Sequence, residues 1–201
     1  GPMIQEASQA ALLKKVNLDK IFRMVKEVRK TVDTPICLMT YYNPVYRFGE
    51  KRFVDQAISC GVDGVIITDL IPEEGQELRR MANQMGLDVI QFLSPTSPSR
   101  RIRFICSVAR GFIYYVSLTG VTGARKTLAR DLFSKISLIK RETSKPVCVG
   151  FGVSTPDQVR QIQRIADGVI VGSAIVKEIK KNIGRPDLVK RFCRFVQHLK
   201  G

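Results

Sequence analysis

The sequence predicts an α/β fold built on a parallel sheet, and two observations carry that prediction. Short continuous apolar runs alternate with amphipathic helical segments along the chain, and such runs are typical of parallel strands covered on both faces. Two of the runs end in glycine and serine just before a helical segment, at Gly150–Ser154 and at Gly172–Ala174. Neighbouring turns of this kind form an anion cup, which a (β/α)8 barrel builds after its strands 7 and 8.

The elements follow in a regular order. The first helix is predicted over residues 17–31, where Asn17 or Asp19 can cap an apolar stripe. Six strands are predicted, over residues 36–42, 65–69, 89–94, 112–117, 146–149 and 168–171. Further helices are predicted over residues 51–59, 73–85, 99–108, 128–142, 155–165, 174–180 and 186–199. Gly61 and Gly86 close two of these helices, and Thr155 caps another with Pro156 at its first position.

The strand count predicts a partial barrel. If the two glycine turns follow strands 7 and 8, the sequence lacks a strand–helix–strand segment at its N-terminal side, and we expect one domain over residues 1–201. The alternative is an open, doubly wound sheet of six strands. No G-x-G-x-x-G follows the first predicted strand, which disfavours that alternative.

Composition restricts the class of protein. The chain has 201 residues, of which 44% are hydrophobic and 25% charged, as expected for a globular domain. It contains no apolar run of the ~20 residues that a membrane helix needs, and residues 1–16 do not resemble a signal peptide. We therefore expect a cytoplasmic protein that does not bind membranes.

The formal charge of +15 raises the question of nucleic acid. The basic residues lie mostly on polar faces of predicted helices, and no recognised nucleic-acid-binding motif accompanies them. We interpret the charge as helix surface that attracts phosphorylated substrates, and we expect no nucleic-acid partner; a basic nucleic-acid binder is the less favoured alternative.

Five scattered cysteines and a single histidine form no C-x-x-C or zinc pattern. We expect no metal site and a reducing compartment. Cys37 and Cys148 lie in apolar runs and are predicted to be buried core thiols.

Three further segments at predicted strand ends carry chemistry. Tyr41–Pro44 supplies aromatic side chains in a loop. The second segment, Thr68–Glu74, contains Asp69, which is a candidate base, orienting group or cap. Ser117–Arg125 is rich in glycine and threonine and ends in arginine, a composition that favours anions.

Together these segments resemble the alpha subunit of tryptophan synthase, over residues 1 to about 180. The resemblance rests on these strings: Gly1–Gln5, Leu38–Pro44, Asp69-Leu70, Ser94–Thr96, Gly111–Ser117, Gly120–Arg125, Gly150–Gly152 and Gly172–Val176. It implies a (β/α)8 TIM barrel of the ribulose-phosphate-binding type, truncated at the N-terminus to about six strands. It also implies retro-aldol cleavage of indole-3-glycerol phosphate to indole and glyceraldehyde 3-phosphate.

The resemblance assigns residues to three groups. The residues matching the substrate phosphate site are Thr122, Gly123, Phe151, Gly152, Gly172 and Ser173. Those matching the indole and glycerol pocket are Tyr41, Ile66, Phe92 and Tyr114, and Tyr114 is expected near the catalytic carboxylate. Those matching the face that meets the beta subunit are Asn43, Pro44, Ile71 and Pro72. The family usually has proline where this chain has Ile71.

The resemblance further implies that both catalytic carboxylates, a glutamate and an aspartate, lie upstream of residue 1. Because acid–base catalysis of the cleavage needs both groups, we expect a polypeptide of these 201 residues to be impaired, with Tyr114 at most assisting. No cofactor is expected in this chain, since pyridoxal phosphate belongs to the beta subunit of the α2β2 assembly.

Two other expectations follow. The alternative function is a non-catalytic, phosphate-binding module that allosterically supports a beta subunit. Because a barrel without two strands exposes sheet edges, we also expect self-association through those edges, strand exchange or coverage by the N-terminal helix.

Overall fold

The computed structural model describes residues 1–117, 126–150 and 152–200, which form ten helices and seven strands. The helices are α1 (Pro2–Leu13), α2 (Leu18–Val28), α3 (Tyr42–Phe48), α4 (Glu50–Cys60), α5 (Gln76–Met85), α6 (Ser99–Val108), α7 (Lys126–Glu142), α8 (Pro156–Gln163), α9 (Ser173–Asn182) and α10 (Leu188–Lys200). The strands are β1 (Cys37–Thr40), β2 (Gly64–Ile67), β3 (Asp88–Val89), β4 (Gln91–Leu93), β5 (Ile113–Val116), β6 (Val147–Gly150) and β7 (Gly168–Ile170).

The residues fall into two compact units, each with its own sheet. The first, the β1–β3 unit, comprises Ala11–Gln91 and Ser107–Phe112 and has the strand order β1-β2-β3. The second, the β4–β7 unit, comprises Gly1–Ala10, Phe92–Cys106 and Ile113–Gly201 and has the order β4-β5-β6-β7. The pairs β1–β2, β2–β3, β5–β6 and β6–β7 are parallel, as the unbroken apolar runs predict. That residues 1–201 form one domain stays a prediction.

The core of the β1–β3 unit lies between one face of its sheet and the helices. Val65 and Ile67 point from β2 into this layer, where Phe22 of α2 packs on Phe53 of α4 with ring centroids 5.7 Å apart. Leu78 of α5 completes it and is 1% exposed. Alternation along the strand therefore places Ile66 and its β1 partner Met39 on the opposite face.

Each unit contains the same acidic clamp at the start of two neighbouring strands. In the β1–β3 unit, the Asp63 carboxylate accepts the N–H of Ile36 (2.7 Å) and pairs with Arg29. In the β4–β7 unit, the Asp167 carboxylate accepts the N–H of Val147 (2.9 Å) and pairs with Lys140. Both aspartates precede Gly-Val-Ile, and both paired strands carry a Pro–apolar–Cys sequence. The two clamps are therefore equivalent positions of one strand–helix–strand pattern.

The predicted elements are largely confirmed, with a shift of a few residues at some ends. Asn17 caps α2 through its side chain, which accepts the N–H of Lys20 at 3.0 Å. Gly61 and Gly86 end α4 and α5 in the left-handed conformation, at φ +93° and +82°. Both fit the expected role of glycine as a C-cap.

Two predictions about the elements are wrong, and one helix was not predicted. The single strand predicted over residues 89–94 is two short strands, because β3 pairs with β2 whereas β4 belongs to the other sheet. Tyr41–Pro44 is not a loop, since α3 begins at Tyr42; Pro44 lies in its first turn, where proline's missing N–H costs nothing. The helix α1 was not predicted, and none of its residues is buried.

The prediction that Cys37 and Cys148 are buried is also wrong. Cys37 is exposed, because β1 is the outermost strand of its sheet among the described residues. Cys148 is half-buried, with its Sγ in the space over Gly168. None of the helices in residues 1–117, 126–150 and 152–200 is long and apolar enough to cross a membrane.

Candidate functional site

Two turns lie side by side at the carboxyl ends of β6 and β7. Gly150 ends β6 and pairs in register with Ile170, which ends β7, so both turns leave the same edge of the β4–β7 sheet. In the first turn, Gly152 adopts φ +69°, a left-handed conformation that favours glycine. The second contains Gly172 and Ser173, both exposed.

The second turn opens a helix whose N-terminus is free. Gly172 is the N-cap of α9, Ser173 is its first residue, and no side chain caps the helix. The first N–H groups of a helix have no partner within it and lie at the positive end of its dipole. This turn therefore offers N–H donors to an anion.

The N-terminus of the helix after the first turn is capped by nearby side chains. In α8, the Thr155 hydroxyl accepts the N–H of Gln158 (3.3 Å), and the Gln158 amide oxygen accepts the N–H groups of Ser154 (2.7 Å) and Thr155 (3.2 Å). This capping box occupies donors that an anion would otherwise use. Side chains therefore cap the N-terminus of α8 but not that of α9.

Three residues of the predicted phosphate site, Thr122, Gly123 and Phe151, lie outside the described residues. Gly152, Gly172 and Ser173 are the described members of that group. Their roles stay a prediction.

Two residues of the predicted substrate pocket meet in the β4–β7 unit. The rings of Phe92 and Tyr114 lie with centroids 5.2 Å apart at an interplanar angle of 31°. Burial raises the pKa of the Tyr114 hydroxyl above its ordinary value, so this group is a neutral donor at physiological pH. The pair forms an aromatic surface beside β6.

Gly150 makes room for Tyr114, a relation that the sequence did not indicate. A Cβ on Gly150 would lie 2.7 Å from the Tyr114 Oη, 2.8 Å from its Cε2 and 2.9 Å from the Ile170 Cβ. These distances are shorter than real contacts allow. Only the register of β5, β6 and β7 brings the three residues together, and register is not visible in the residue pattern.

The other two pocket residues lie in the β1–β3 unit. Ile66 is 7% exposed and faces away from the helices, as does its pair partner Met39. Tyr41 follows β1 two residues after Met39, which puts it on the same face by alternation, and it is 60% exposed. Tyr41 and Ile66 therefore share the face of the β1–β3 sheet that lies opposite the helices, and their role in a pocket stays a prediction.

Asp69 joins the two segments predicted to face a partner. Its Oδ1 accepts the N–H of Tyr42, the first residue of α3, at 2.7 Å. The Tyr42 hydroxyl in turn donates to Glu50 (2.6 Å), which raises the pKa of Tyr42 to about 12. Of the roles left open for Asp69, the structure shows the anchoring one.

Three of the four predicted partner-facing residues are exposed. Asn43 and Pro44 are exposed in the first turn of α3, and Ile71 is 47% exposed. Pro72 is buried, which does not fit the prediction that it faces a partner. Its carbonyl accepts from the Arg79 guanidinium (2.8 Å), and this bond holds the segment against α5.

Within the described ranges, no three His, Cys, Asp or Glu residues come together as a possible metal site. The described part of the candidate site consists of backbone donors, glycine turns and aromatic rings.

Comparison with known proteins agrees with this arrangement. The family model for the tryptophan synthase alpha chain matches residues 1–200. The tryptophan synthase alpha chains of Geotalea uraniireducens and Geobacter sulfurreducens are both 47% identical over 200 residues. The alignments cover 100% of this chain and 74% and 75% of those relatives.

Solved structures show the same fold. The crystal structure of the alpha chain from Legionella pneumophila superposes with a TM-score of 0.87 at 35% identity, covering 100% of this chain and 75% of that one. A chain of the α2β2 tryptophan synthase complex from Pyrococcus furiosus superposes with a TM-score of 0.87 at 38% identity, covering 99% and 80%. These likenesses confirm the predicted truncated (β/α)8 barrel and contradict the open doubly wound sheet.

Proposed function

Because this chain belongs to the tryptophan synthase alpha chain family, a family of lyases in tryptophan biosynthesis, we propose that it binds indole-3-glycerol phosphate. The phosphate lies at the Gly152 turn and the N-terminus of α9. We further propose that a polypeptide of these 201 residues cleaves the substrate slowly or not at all.

The observation that carries the proposal is the uncapped N-terminus of α9 beside the Gly152 turn. Gly172 and Ser173 leave the free N–H groups of α9 exposed, and Gly152 brings backbone close to the same sheet edge. A phosphate is the anion that such paired turns bind in barrels of this kind. Thr122, Gly123 and Phe151 complete the group through the family resemblance.

The indole ring has a matching surface in the same unit. Phe92 and Tyr114 form a tilted pair of aromatic rings, and an indole packs well against such rings. Tyrosine is protonated at physiological pH, and burial raises the pKa of the Tyr114 hydroxyl further, so this group is a hydrogen-bond donor and not a base. The family resemblance also assigns Tyr41 and Ile66 to the substrate pocket.

Cleavage needs two groups that the resemblance matches to no residue of this sequence. Retro-aldol cleavage requires one group to protonate the indole carbon and another to accept the proton of the glycerol hydroxyl. Asp69, the acid at the end of β2, is held by the Tyr42 N–H. Loss of acid–base catalysis is expected to reduce turnover about 10²- to 10⁴-fold.

The partner is a tryptophan synthase beta subunit, as in the α2β2 complex of the Pyrococcus furiosus protein. Asn43, Pro44 and Ile71 form the exposed surface for it. Pyridoxal phosphate belongs to that subunit, and both subunits act in the cytoplasm. The second candidate function, non-catalytic support of a beta subunit, is favoured by the hydrogen bond of Asp69 that joins the two partner-facing segments.

A charge placed at the first position of α9 tests the phosphate site. We expect Ser173→Asp to weaken binding of glycerol 3-phosphate at least about tenfold, because a carboxylate repels the phosphate, whereas an acidic residue at a helix N-terminus does not destabilise the helix. The matched control is Ser99→Asp, since Ser99 is the exposed first residue of α6, another ten-residue helix. Titration calorimetry measures both affinities.

Equal affinities for the Ser173→Asp and Ser99→Asp variants would contradict the phosphate site. The second candidate function is tested by titrating a beta subunit into the chain. It is rejected if the beta subunit does not bind while glycerol 3-phosphate does.

A further inference from the structure

Tyr42, the first residue of α3, is held by residues from two other parts of the β1–β3 unit. Its N–H donates to the carboxylate of Asp69, which follows β2 (2.7 Å). Its hydroxyl donates to the carboxylate of Glu50, the first residue of α4 (2.6 Å). The first bond anchors α3 to the sheet, and the second joins α3 to the next helix.

The two ends of α3 are fixed in different ways. Toward its C-terminus, Val45 is buried and Phe48 packs against the buried core. Asn43 and Pro44, in the first turn, are exposed. The position of the first turn therefore depends on Tyr42, which packs partly against the core and makes both hydrogen bonds.

A single glycine connects α3 to α4. Gly49 is both the C-cap of α3 and the N-cap of α4, and its φ of +93° lies in a region that favours glycine. Because glycine restricts the backbone least of all residues, the angle between the two helices needs a contact that spans this position. The bond between Tyr42 and Glu50 is such a contact, since it joins side chains eight residues apart on either side of Gly49.

Glu50 belongs to a helix that is itself firmly packed. Phe53, Val54 and Ala57 of α4 are all 0% exposed. The Glu50 carboxylate lies in the first turn of α4, where the positive end of the helix dipole stabilises a negative charge. A hydrogen bond from a hydroxyl to a carboxylate is about twice as strong as one between neutral groups. The packed helix α4 therefore provides a strong and fixed acceptor for the Tyr42 hydroxyl.

We propose that Glu50 is a positioning residue that acts through Tyr42. By accepting the Tyr42 hydroxyl, it fixes the first turn of α3 and with it Asn43 and Pro44, the next two residues of the helix. Asp69 holds the start of α3 at the sheet, and Glu50 sets the direction of the helix from α4. This role rests on the proposed function, in which Asn43 and Pro44 face a beta subunit.

Amide hydrogen exchange tests the positioning role without a partner. We expect Glu50→Ala and Tyr42→Phe each to speed exchange of the N–H at position 42 and of the Gly49 N–H about tenfold, because α3 opens more often once the bond is lost. Exchange of the Gly61 N–H, which closes the other end of α4, should not change. Exchange followed by NMR measures each N–H separately.

Two further variants distinguish the hydrogen bond from a general effect of charge on α4. Glu50→Gln keeps an oxygen that can accept the Tyr42 hydroxyl, so we expect it to retain most of the protection. The matched control is Asp55→Ala, since Asp55 is another acidic residue of α4 and pairs with Lys51 on the exposed surface (2.7 Å). Loss of an exposed pair has little effect on stability, so exchange in α3 should not change in this variant.

The same variants test the effect on the partner-facing surface. Calorimetric titration with the beta subunit of the Pyrococcus furiosus complex measures their affinities. We expect Glu50→Ala and Tyr42→Phe each to weaken binding about tenfold. The double variant should bind no more weakly than either single one, because both changes remove the same bond. Affinity for glycerol 3-phosphate should not change, since the turns proposed to hold the phosphate belong to the β4–β7 unit.

Three results would overturn the positioning role of Glu50. They are unchanged exchange in α3 of the Glu50→Ala variant, additive losses of beta-subunit affinity in the double variant, and a loss in Asp55→Ala as large as that in Glu50→Ala. Failure of the proposed partner gives a different result. In that case the unaltered chain does not bind the beta subunit, whereas Glu50→Ala still speeds exchange in α3 and so supports the positioning role.

Discussion

At the residue scale, one carboxylate sets the geometry of a surface. Asp69 follows β2, yet it holds the first N–H of α3, which follows β1. The positions of Asn43 and Pro44 are therefore determined by a residue on the neighbouring strand. An aspartate at a strand end often suggests a catalytic base, but here its acceptor capacity is used by the backbone.

Two substitutions of Asp69 distinguish the effect of its hydrogen bond to α3 from the effect of its negative charge. We expect Asp69→Ala to weaken binding of a beta subunit about tenfold, because the net loss of one such hydrogen bond is about 1–1.5 kcal/mol. Asp69→Asn keeps an acceptor oxygen and is expected to bind nearly as tightly as the original chain. Calorimetric titration with a beta subunit measures this, and glycerol 3-phosphate affinity should not change. Equal losses in both variants would show that charge, not anchoring, is the role of Asp69.

Gly150 is the second residue whose substitution is informative. A Cβ there meets the Tyr114 ring and Ile170 at distances below 3 Å. We expect Gly150→Ala to destabilise the fold by about 1–3 kcal/mol and to weaken substrate binding, because the Phe92–Tyr114 pair must move. Tyr114→Phe removes the Oη atom, so it should recover part of the stability in the double variant. Chemical denaturation of the four variants measures the coupling, and additive losses would contradict it.

At the element scale, the acidic clamps fix where pairs of strands begin. Asp63 and Asp167 each accept the strand-start N–H of a neighbouring strand and pair with a basic side chain, Arg29 at the C-cap of α2 or Lys140 in α7. Arg29 also donates to the carbonyls of Gly61 (2.7 Å) and Thr34 (2.7 Å), so its clamp has more bonds than the one with Lys140.

The Asp167 clamp predicts a pH dependence of stability. The hydrogen bond from Lys140, together with the Val147 N–H, lowers the pKa of the Asp167 carboxyl below its ordinary value. A lowered folded-state pKa stabilises the fold above the unfolded pKa, and that stabilisation is lost as pH falls through the folded value. We expect Asp167→Asn to cost about 1 kcal/mol between about pH 5 and pH 8, and the cost to shrink below about pH 4.

The measurement is the free energy of unfolding across that pH range. The control is Asp157→Asn, which removes an exposed pair with Arg160 on the surface of α8 and is expected to cost little. A constant cost of Asp167→Asn down to pH 3 would contradict the assigned cause.

Much of the element order could be predicted from the sequence, because capping residues and apolar runs are local signals. Asn17, Thr155 and the closing glycines are such signals, and each lies where it was expected. The helix α3 gave no such signal, since its cap comes from Asp69, 27 residues away. The split of residues 88–93 into β3 and β4 depends on which strand each part pairs with, which is also non-local information.

At the scale of the whole molecule, some parts of the candidate site can be predicted from local sequence signals, whereas others depend on contacts between elements that are distant in the sequence. The glycine turns could be predicted because they are contiguous strings, and they lie at one sheet edge. The closeness of Tyr114 to Gly150 and the burial of Pro72 could not, because both depend on packing between elements. Burial of Cys37 was predicted from an apolar run, but an edge strand leaves one side of such a run uncovered.

We propose that a polypeptide of these 201 residues holds the substrate's phosphate but lacks the groups that cleave its carbon–carbon bond. Titration calorimetry with indole-3-glycerol phosphate tests both parts in one measurement, since binding gives a heat pulse and turnover gives a sustained signal. We expect a saturable isotherm in which the heat returns to baseline after every injection, with no indole in the recovered sample. Sustained heat with indole release at the rate of a full-length relative, or no binding heat, would contradict the claim.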